Sequence, residues 1–162
     1  MSPEPLALLA QSLPDGGCSA RHGLPYAATV GVGTNQQTLT LETADWVMID
    51  GTMDNAVSNA IDAHDTKTRK RAERVREEGW RQIPDWPKEL EGLQSWPAPG
   101  QTCTVTLNQE LWQFIAAALD ESAVTSDYLA SLPHFAASRE EWLAVAADSR
   151  RLAAEVRTKL EA

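Results

Sequence analysis

The spacing of apolar residues changes from strand-like to helix-like at Thr43. From Gln37 to Glu42 apolar and polar residues alternate, and from Thr43 onward the apolar residues follow three-and-four spacing as far as about Ala63. Alternation is typical of a half-buried strand, and three-and-four spacing is typical of an amphipathic helix. The pattern therefore predicts a strand followed directly by a helix, with Thr43 as the N-cap of the helix.

The same change of spacing recurs 66 residues later, after a second strand pattern from Thr102 to Leu107. Aligned without gaps, residues 38–57 and 104–123 are identical at six of twenty positions, where ordinary composition would give about one. The identical pairs are Thr38/Thr104, Thr40/Thr106, Leu41/Leu107, Trp46/Trp112, Ile49/Ile115 and Asp54/Asp120. Coincidental patterning is the alternative to duplication. If the chain is duplicated, neither copy can bury its apolar face alone, and two copies related by a pseudo-two-fold would share a core.

A second helix, rich in basic residues, is predicted to follow the first helix of copy one. It extends from about Thr66 to Glu78, with Asp65 as its N-cap and Gly79 as a candidate terminator. Its apolar positions are few, which indicates a helix that is largely solvated.

The corresponding helix of copy two closes the chain. After a helix capped by Asn108 and a break at residues 131–133, the last helix opens with a capping box formed by Ser138 and Glu141. The apolar stripes of these helices predict one shared core. Its predicted members are Trp46, Ile49, Met53, Trp112, Ile115, Leu119, Trp142, Leu152 and Val156.

The pattern as a whole predicts an α+β, mainly helical fold. Two fused strand-helix-helix repeats would form a pseudo-two-fold single body with a small antiparallel sheet. The expected segments are 1–36, an N-terminal helix and hairpin strand; 37–82, repeat one; 83–101, a Trp- and Pro-rich linker; and 102–162, repeat two. Proline disfavours helix in the residue before it, so the linker is expected to be extended and pinned to the body by Trp86 and Trp96.

The net charge of −9 is distributed unevenly along the chain. Residues 1–65 carry eight acids and one base, residues 66–88 carry eight bases and four acids, and the remainder carries eleven acids and five bases. An acidic surface repels nucleic acid and attracts basic protein surfaces, whereas the basic segment would do the opposite locally. The candidate nucleic-acid contacts are Lys67, Arg69, Lys70, Arg71, Arg74 and Arg76.

Two features of the basic helix favour a self-paired, solvated element instead. Its positive charge is expected to wrap around the helix, and glutamates are interleaved at pairing distance, for instance Glu73 with Arg69.

The sequence also bears on the cellular location of the protein and on the redox state of its two cysteines. No run approaches the eighteen or so apolar residues of a membrane span, and the N-terminal residues lack the basic region of a secretory signal, so a cytoplasmic protein without membrane association is expected. Cys18 and Cys103 are far apart and form no C-x-x-C arrangement. Two reduced thiols are expected, without a disulfide framework or a thiolate zinc site.

Possible catalytic and metal-binding motifs are weak. The run from Met48 to Thr52 resembles the D-x-D-G-T motif of haloacid-dehalogenase phosphatases, but Met48 stands where covalent catalysis requires the nucleophilic aspartate. Asp50, Asp54, Asp62 and His64 are the candidate ligands of a metal ion. Since adjacent residues do not share a helical face, a loop-terminating cluster is favoured, and no cofactor is expected.

The order strand, helix, helix, twice over, loosely resembles the ribbon-helix-helix family of DNA-binding proteins. In that family two such units intertwine, their strands pair, and outward strand side chains read the major groove. The resemblance implies that Thr38, Thr40, Thr104 and Thr106 face DNA. Strands without Arg or Lys in acidic surroundings are poor readers of DNA, which argues against this role.

The sequence thus leaves three hypotheses of function. The leading one is a non-enzymatic, acidic interaction protein that binds a basic surface of a partner protein, as an inhibitor or accessory factor of the kind found in phages and mobile elements, such as an anti-defence protein or antitoxin. Trp80, Trp86 and Trp96 fit no helical stripe and are its candidate partner-binding residues. The alternatives are a nucleic-acid-binding regulator that uses residues 67–76 and a small metal-dependent enzyme.

Overall fold

The order strand, helix, helix occurs twice in the computed structural model, which describes residues 35–87 and 95–162. The predicted α+β, mainly helical class is confirmed. The elements are β1 (Gln36–Glu42), α1 (Thr43–Asp62), α2 (Thr66–Gln82), β2 (Thr102–Asn108), α3 (Gln109–Ser131) and α4 (Arg139–Glu161), with a 3₁₀ helix at Pro133–Ser138. The predicted N-terminal helix and the first strand of the predicted hairpin lie outside the described residues.

The two strands pair with each other as an antiparallel ribbon. Leu39 lies opposite Val105 and Thr40 opposite Thr104. One face of the ribbon is buried, and its members are Leu39, Leu41, Cys103, Val105 and Leu107. Leu39 and Val105 occupy the same place in the two copies, so the register is centred on equivalent residues, as a local two-fold axis would require. The two-fold relation of the whole body stays a prediction.

Beneath the ribbon, α1 and α3 meet through their tryptophans. The rings of Trp46 and Trp112 pack edge to face, with centroids 5.9 Å apart and an interplanar angle of 83°. Both rings are fully buried, and the indole N–H of Trp112 donates to the carbonyl of Gln37 at 3.0 Å. This contact fixes the depth at which the helices sit below the strands.

The predicted core is confirmed at all positions but one. Ile49, Met53, Ile115, Leu119, Leu152 and Val156 are fully buried together with the two tryptophans. Trp142 is only half-buried and packs edge to face against Phe135, with ring centroids 6.2 Å apart. It lies in the first turn of α4, directly after the 3₁₀ helix, where the helix has not yet reached the core.

Gly79 does not end α2, which continues to Gln82. The glycine is buried, and a Cβ added there would lie 2.3 Å from Nε1 of Trp46. The missing side chain therefore lets α2 approach the indole of α1 closely, which is a packing role and not a helix stop.

The helix starts follow their sequence signals in part. Asn108 caps α3 as predicted, its side-chain oxygen accepting the N–H of Leu111 at 2.8 Å. Thr43 is not the N-cap of α1 but its first, fully buried residue, and Glu42 takes the cap position. Ser138 precedes α4 without making a side-chain capping bond, because the 3₁₀ helix already leads into that helix.

The second helix of each copy reaches the strand of the other copy. On α2, the Gln82 side chain donates to the carbonyl of Thr106 at 2.9 Å and accepts its N–H at 2.8 Å. On α4, the Lys159 ammonium donates to the carbonyl of Thr40 at 3.0 Å. Thr106 and Thr40 are equivalent positions of the two copies. These contacts cover groups on strand edges that would otherwise be free to pair with another chain.

Candidate nucleic-acid interface

The outward face of the ribbon is polar and carries little charge. Across the strands, the hydroxyls of Thr38 and Thr106 lie 2.8 Å apart, and those of Thr40 and Thr104 lie 2.9 Å apart. One end of this face carries the amides of Gln36 and Asn108, and the other end carries Glu42 and Thr102. The face therefore offers hydroxyls, methyl groups and two amides, with a carboxylate only at one end.

The ribbon has dimensions that suit a nucleic-acid groove. Each strand has seven residues, and at about 3.3 Å per residue this gives a length of about 23 Å. Two strands about 4.8 Å apart, with short threonine side chains, make a narrow ridge. The major groove of B-DNA, about 12 Å wide, admits a two-stranded ribbon.

One face of α2 packs on the core, and the basic residues lie around the rest of the helix. Its buried residues are Ala72, Val75 and Gly79, at three-and-four spacing. Residues so spaced share a face, so the bases nearest this face contact the body and those opposite it face solvent.

Two of the predicted contact residues are held by carboxylates. Arg69 pairs with Glu73, N to O 3.5 Å, as the sequence predicted. Arg76 reaches α1, where it pairs with Asp50 at 3.1 Å and also with Asp54. Arg76 thus joins α2 to α1, and Arg69 has a carboxylate partner within α2.

The other four bases form what we call the basic stripe: Lys67, Lys70, Arg71 and Arg74. Within residues 35–87 and 95–162, none of them forms an ion pair with a carboxylate. All are exposed except Arg71, which is half-buried. The basic residues thus lie on two sides of the helix, as the sequence indicated: Arg69 and Arg76 have carboxylate partners on one side, and the four bases of the stripe lie together on the other.

The basic stripe adjoins the end of the ribbon. It lines a hollow of about 310 Å³ together with Asn108, Glu110 and Leu111, where β2 ends and α3 begins. Arg74 and Asn108 also line a second hollow of about 190 Å³, next to Gln36 and Thr106 of the ribbon. Stripe and ribbon thus form one continuous surface, which we call the ribbon–stripe surface.

Two carboxylates at the ends of α2 are ionised and engaged. Hydrogen bonds from Thr68 lower the pKa of Asp65, whose carboxylate also accepts the Lys67 N–H at 3.0 Å, so the predicted N-cap is confirmed. A hydrogen bond from Arg81 is the main cause that lowers the pKa of Glu78. Glu78 pairs with Arg81, and the nearby charge of the stripe residue Arg74 also contributes to lowering the pKa of Glu78.

The helix α4, on the other side of the ribbon, offers no comparable stripe. The bases in its second half are all engaged by carboxylates: Arg150 with Asp127, Arg151 with Asp45, Arg157 with Asp120 and Lys159 with Glu155. The hydrogen bond that Arg151 donates to the carboxylate of Asp45 raises the pKa of Arg151. In the part of the chain that the structure describes, free positive charge beside the ribbon therefore comes from α2.

The three candidate partner-binding tryptophans do not share one environment. Trp80 is 44% exposed, and the guanidinium of Arg76 lies 4.9 Å from its ring centroid, a cation–π distance. Trp86 and Trp96 are half-buried against the core and pack edge to face with centroids 5.0 Å apart. Only Trp80 presents a large free ring surface.

The candidate metal ligands do not form a metal site. Asp50 and Asp54 are occupied by Arg76, and Asp62 and His64 follow at the exposed end of α1. In the two described ranges, no group of three or more His, Cys, Asp or Glu side chains is placed to hold an ion. The segment that resembles the phosphatase motif lies within α1 and not behind a strand.

Sequence reasoning missed the contribution of Gln36, Asn108 and Gln82 to this surface. Asn108 was recognised only as a helix cap, and the pairing of Gln82 with β2 has no local sequence signal. The spacing of Lys67, Lys70 and Arg74 opposite Ala72 and Val75 is the signal that indicates a one-sided stripe.

The chain matches no family model, no curated protein and no solved structure. None of the helices in the described part of the chain combines the length and apolarity needed to cross a membrane. Function therefore has to be inferred from the residues of the ribbon–stripe surface.

Proposed function

We propose that this protein is a non-enzymatic, double-stranded DNA-binding protein. In this proposal the ribbon enters the major groove and the basic stripe of α2 contacts the phosphate backbone. The observation that carries it is the continuity of a nearly uncharged hydroxyl ribbon with four bases that form no ion pair among the described residues. The loose resemblance to ribbon-helix-helix proteins points the same way.

The ribbon carries no Arg or Lys, so its contacts with base edges would be made by hydroxyl, methyl and amide groups. Threonine hydroxyls donate or accept hydrogen bonds, and their methyl groups can contact the methyl group of thymine. The amide of Gln36 is of the kind that pairs bidentately with adenine, whereas the Asn108 side-chain oxygen already accepts the N–H of Leu111 as the cap of α3. Because Thr38 and Thr40 already have hydroxyl partners, we expect modest sequence preference, directed to A·T-containing sites.

Duplex DNA fits this surface better than duplex RNA. The major groove of A-form RNA is deep and narrow, so side chains on a ribbon cannot reach its bases. A single strand would be bound by stacking on exposed aromatic rings, and the outward face of the ribbon carries none. We therefore expect affinity in the order duplex DNA, then single strands and duplex RNA.

The net charge of −9 does not prevent such binding. At physiological salt the Debye length is about 8 Å, so exposed carboxylates remote from the stripe are largely screened at the bound phosphates. The potential at a bound phosphate comes mainly from the nearest described side chains. These are the stripe, the carboxylates of Glu110 and Glu78 in the two hollows, and Glu77, one turn from Arg74.

A salt titration with labelled duplex DNA tests the proposal. Four phosphate contacts predict that the logarithm of the binding constant falls with log salt with a slope of about −3.6. Replacing one stripe residue, Lys70→Ala, should weaken binding and reduce the steepness by about 0.9. Glu110→Gln should strengthen binding, because it removes the carboxylate next to the stripe.

Arg69→Ala is the matched control, since it removes one positive charge from the same helix outside the stripe. It should leave both affinity and slope close to the wild-type values. The proposal would be refuted if Lys70→Ala and Arg69→Ala weakened DNA binding equally, or if the affinity of the wild-type protein for DNA did not change with salt concentration.

A protein partner with a basic surface is the second candidate, favoured by the acidic composition. The specific observation is that two apolar side chains one turn apart on α3, Val124 and Tyr128, are 66% and 62% exposed. A salt-sensitive, stoichiometric protein partner recovered from its own cell extract, and lost with Tyr128→Glu, would support this function. An inhibitor or accessory factor would then be the natural class.

A further inference from the structure

We infer that the ribbon–stripe surface binds DNA from one side only, with its phosphate contacts on the α2 flank of the ribbon and not on the α4 flank. This inference rests on the proposed DNA-binding function. It concerns which flank of the ribbon contacts phosphates. It follows from a difference in ion pairing: among the described residues the stripe on α2 forms no ion pair, whereas the bases in the second half of α4 are paired with carboxylates.

The ribbon itself presents nearly the same groups in both directions. Its register is centred on Leu39 and Val105, which are equivalent positions. As a result, the two threonine pairs across the strands match each other when the strands are exchanged: Thr38 with Thr106, and Thr40 with Thr104. A ribbon of this kind would by itself suit a symmetric site.

The flanking helices break this symmetry. Beside the end of the ribbon that carries Gln36 and Asn108, the basic stripe of α2 forms no ion pair within the described residues. On the flank of Thr40, Lys159 is bound to the Thr40 carbonyl and to Glu155.

The other bases of α4 are neutralised by neighbouring helices. Arg150 and Arg157 pair with Asp127 and Asp120 of α3, and Arg151 pairs with Asp45 of α1. Arg139 starts the helix, twenty residues before Lys159 and so about 30 Å away along its axis. Among the described residues, a phosphate on this flank would have to compete with carboxylates for the cations near the ribbon.

The ends of the ribbon add a second, independent asymmetry. Neutral amides occupy the end next to α2, whereas the carboxylate of Glu42 stands at the opposite end and is exposed. Glu42 would repel a phosphate backbone that passes there. Both the cations and the ribbon ends therefore favour contact on the α2 flank.

Two double variants of equal charge separate one-sided from two-sided binding. The α2 variant is Lys70→Ala with Arg74→Ala, and the α4 variant is Arg150→Ala with Arg157→Ala. With labelled duplex DNA over a salt series, the α2 variant should reduce the steepness of the slope by about 1.8, since two counterion-releasing contacts are lost. The α4 variant should keep the wild-type slope. Circular dichroism confirms that both variants are folded before the titration.

Hydroxyl-radical footprinting of the wild-type protein on its preferred duplex gives a second readout. We expect backbone protection on one side of the contacted base pairs. Two-sided protection, or a slope loss in the α4 variant equal to that in the α2 variant, would overturn the inference and leave the proposed function standing. Absence of salt-dependent DNA binding by the wild type would overturn both.

Discussion

Replacing Gly79 by alanine should destabilise the protein, although the same exchange usually stabilises a helix. The glycine lies inside α2, and its backbone faces the fully buried indole of Trp46. An added Cβ would lie 2.3 Å from Nε1 of that ring and 2.5 Å from Cε2 and Cζ2. The ring is rigid and is held on another side by Trp112, so α2 itself would have to move.

Two opposing terms set the magnitude of this effect. Alanine gains about 0.5–1 kcal/mol over glycine within a helix, while inserting a methyl group into a packed core costs typically about 1–3 kcal/mol. Because the clash is with a buried ring and not with a flexible side chain, we take the upper part of that range. The net loss of unfolding free energy is then about 2 kcal/mol, or a decrease in Tm of about 4–8 °C at this chain length.

Gly51→Ala is the internal control for helix propensity. Gly51 lies within α1, and a Cβ added there meets nothing within 4 Å. This variant should therefore gain the propensity term alone, about 0.5–1 kcal/mol. Thermal and urea unfolding followed by circular dichroism measure both variants under the same conditions.

The clash with Trp46 can be tested separately from other effects at Gly79. In a Trp46→Phe background the smaller ring leaves room, so Gly79→Ala should cost at least about 1 kcal/mol less than in the wild type, an interaction energy typical of residues in contact. A Gly79→Ala variant as stable as Gly51→Ala would refute the packing argument, because α2 would then not be limited by its approach to the indole.

Three further predictions concern pH, thiol reactivity and capping. Hydrogen bonds from Thr68 lower the pKa of Asp65 in the folded state. The cap therefore stabilises the protein above the unfolded carboxyl pKa of about 3.9, and its contribution is lost as the pH falls below that value. Asp65→Ser, which caps without titrating, should lose less stability on acidification, and identical profiles of stability against pH would contradict this. Burial raises the pKa of the Cys103 thiol. In a Cys18→Ser variant, an aromatic disulfide reagent should therefore react with Cys103 far more slowly in buffer than in urea. Equal rates would show that Cys103 is accessible in the folded protein. Asn108→Ala should lower the unfolding free energy by about 1 kcal/mol through loss of the α3 cap, whereas an unchanged urea midpoint would show that the cap bond contributes nothing.

The sequence was sufficient to predict the helices, the strands and most of the core residues, because these features depend on the local spacing of apolar residues. Alternation marked both strands, and three-and-four spacing placed residues such as Ile49 and Leu152 inside. The failures have tertiary causes: Gly79 carries a terminator signal but packs against the indole of Trp46 on another helix, and Trp142 continues an apolar stripe before its helix reaches the core. Neither outcome can be derived without the neighbouring element.

The candidate surface divides in the same way. The sequence by itself determined that positive charge is concentrated in residues 67–76 and that the strands are rich in threonine, since both are matters of composition and period. Only the tertiary structure decided which charges are free, because Arg76 pairs with carboxylates of α1 and the bases in the second half of α4 pair with carboxylates of α1, α3 and α4. The tertiary structure also placed the basic stripe next to the end of the ribbon. There α2 meets β2, although the linker separates these two elements in the sequence. Ion pairing and strand pairing join residues that are distant in the chain, and a pattern read along one sequence carries no information about such distances.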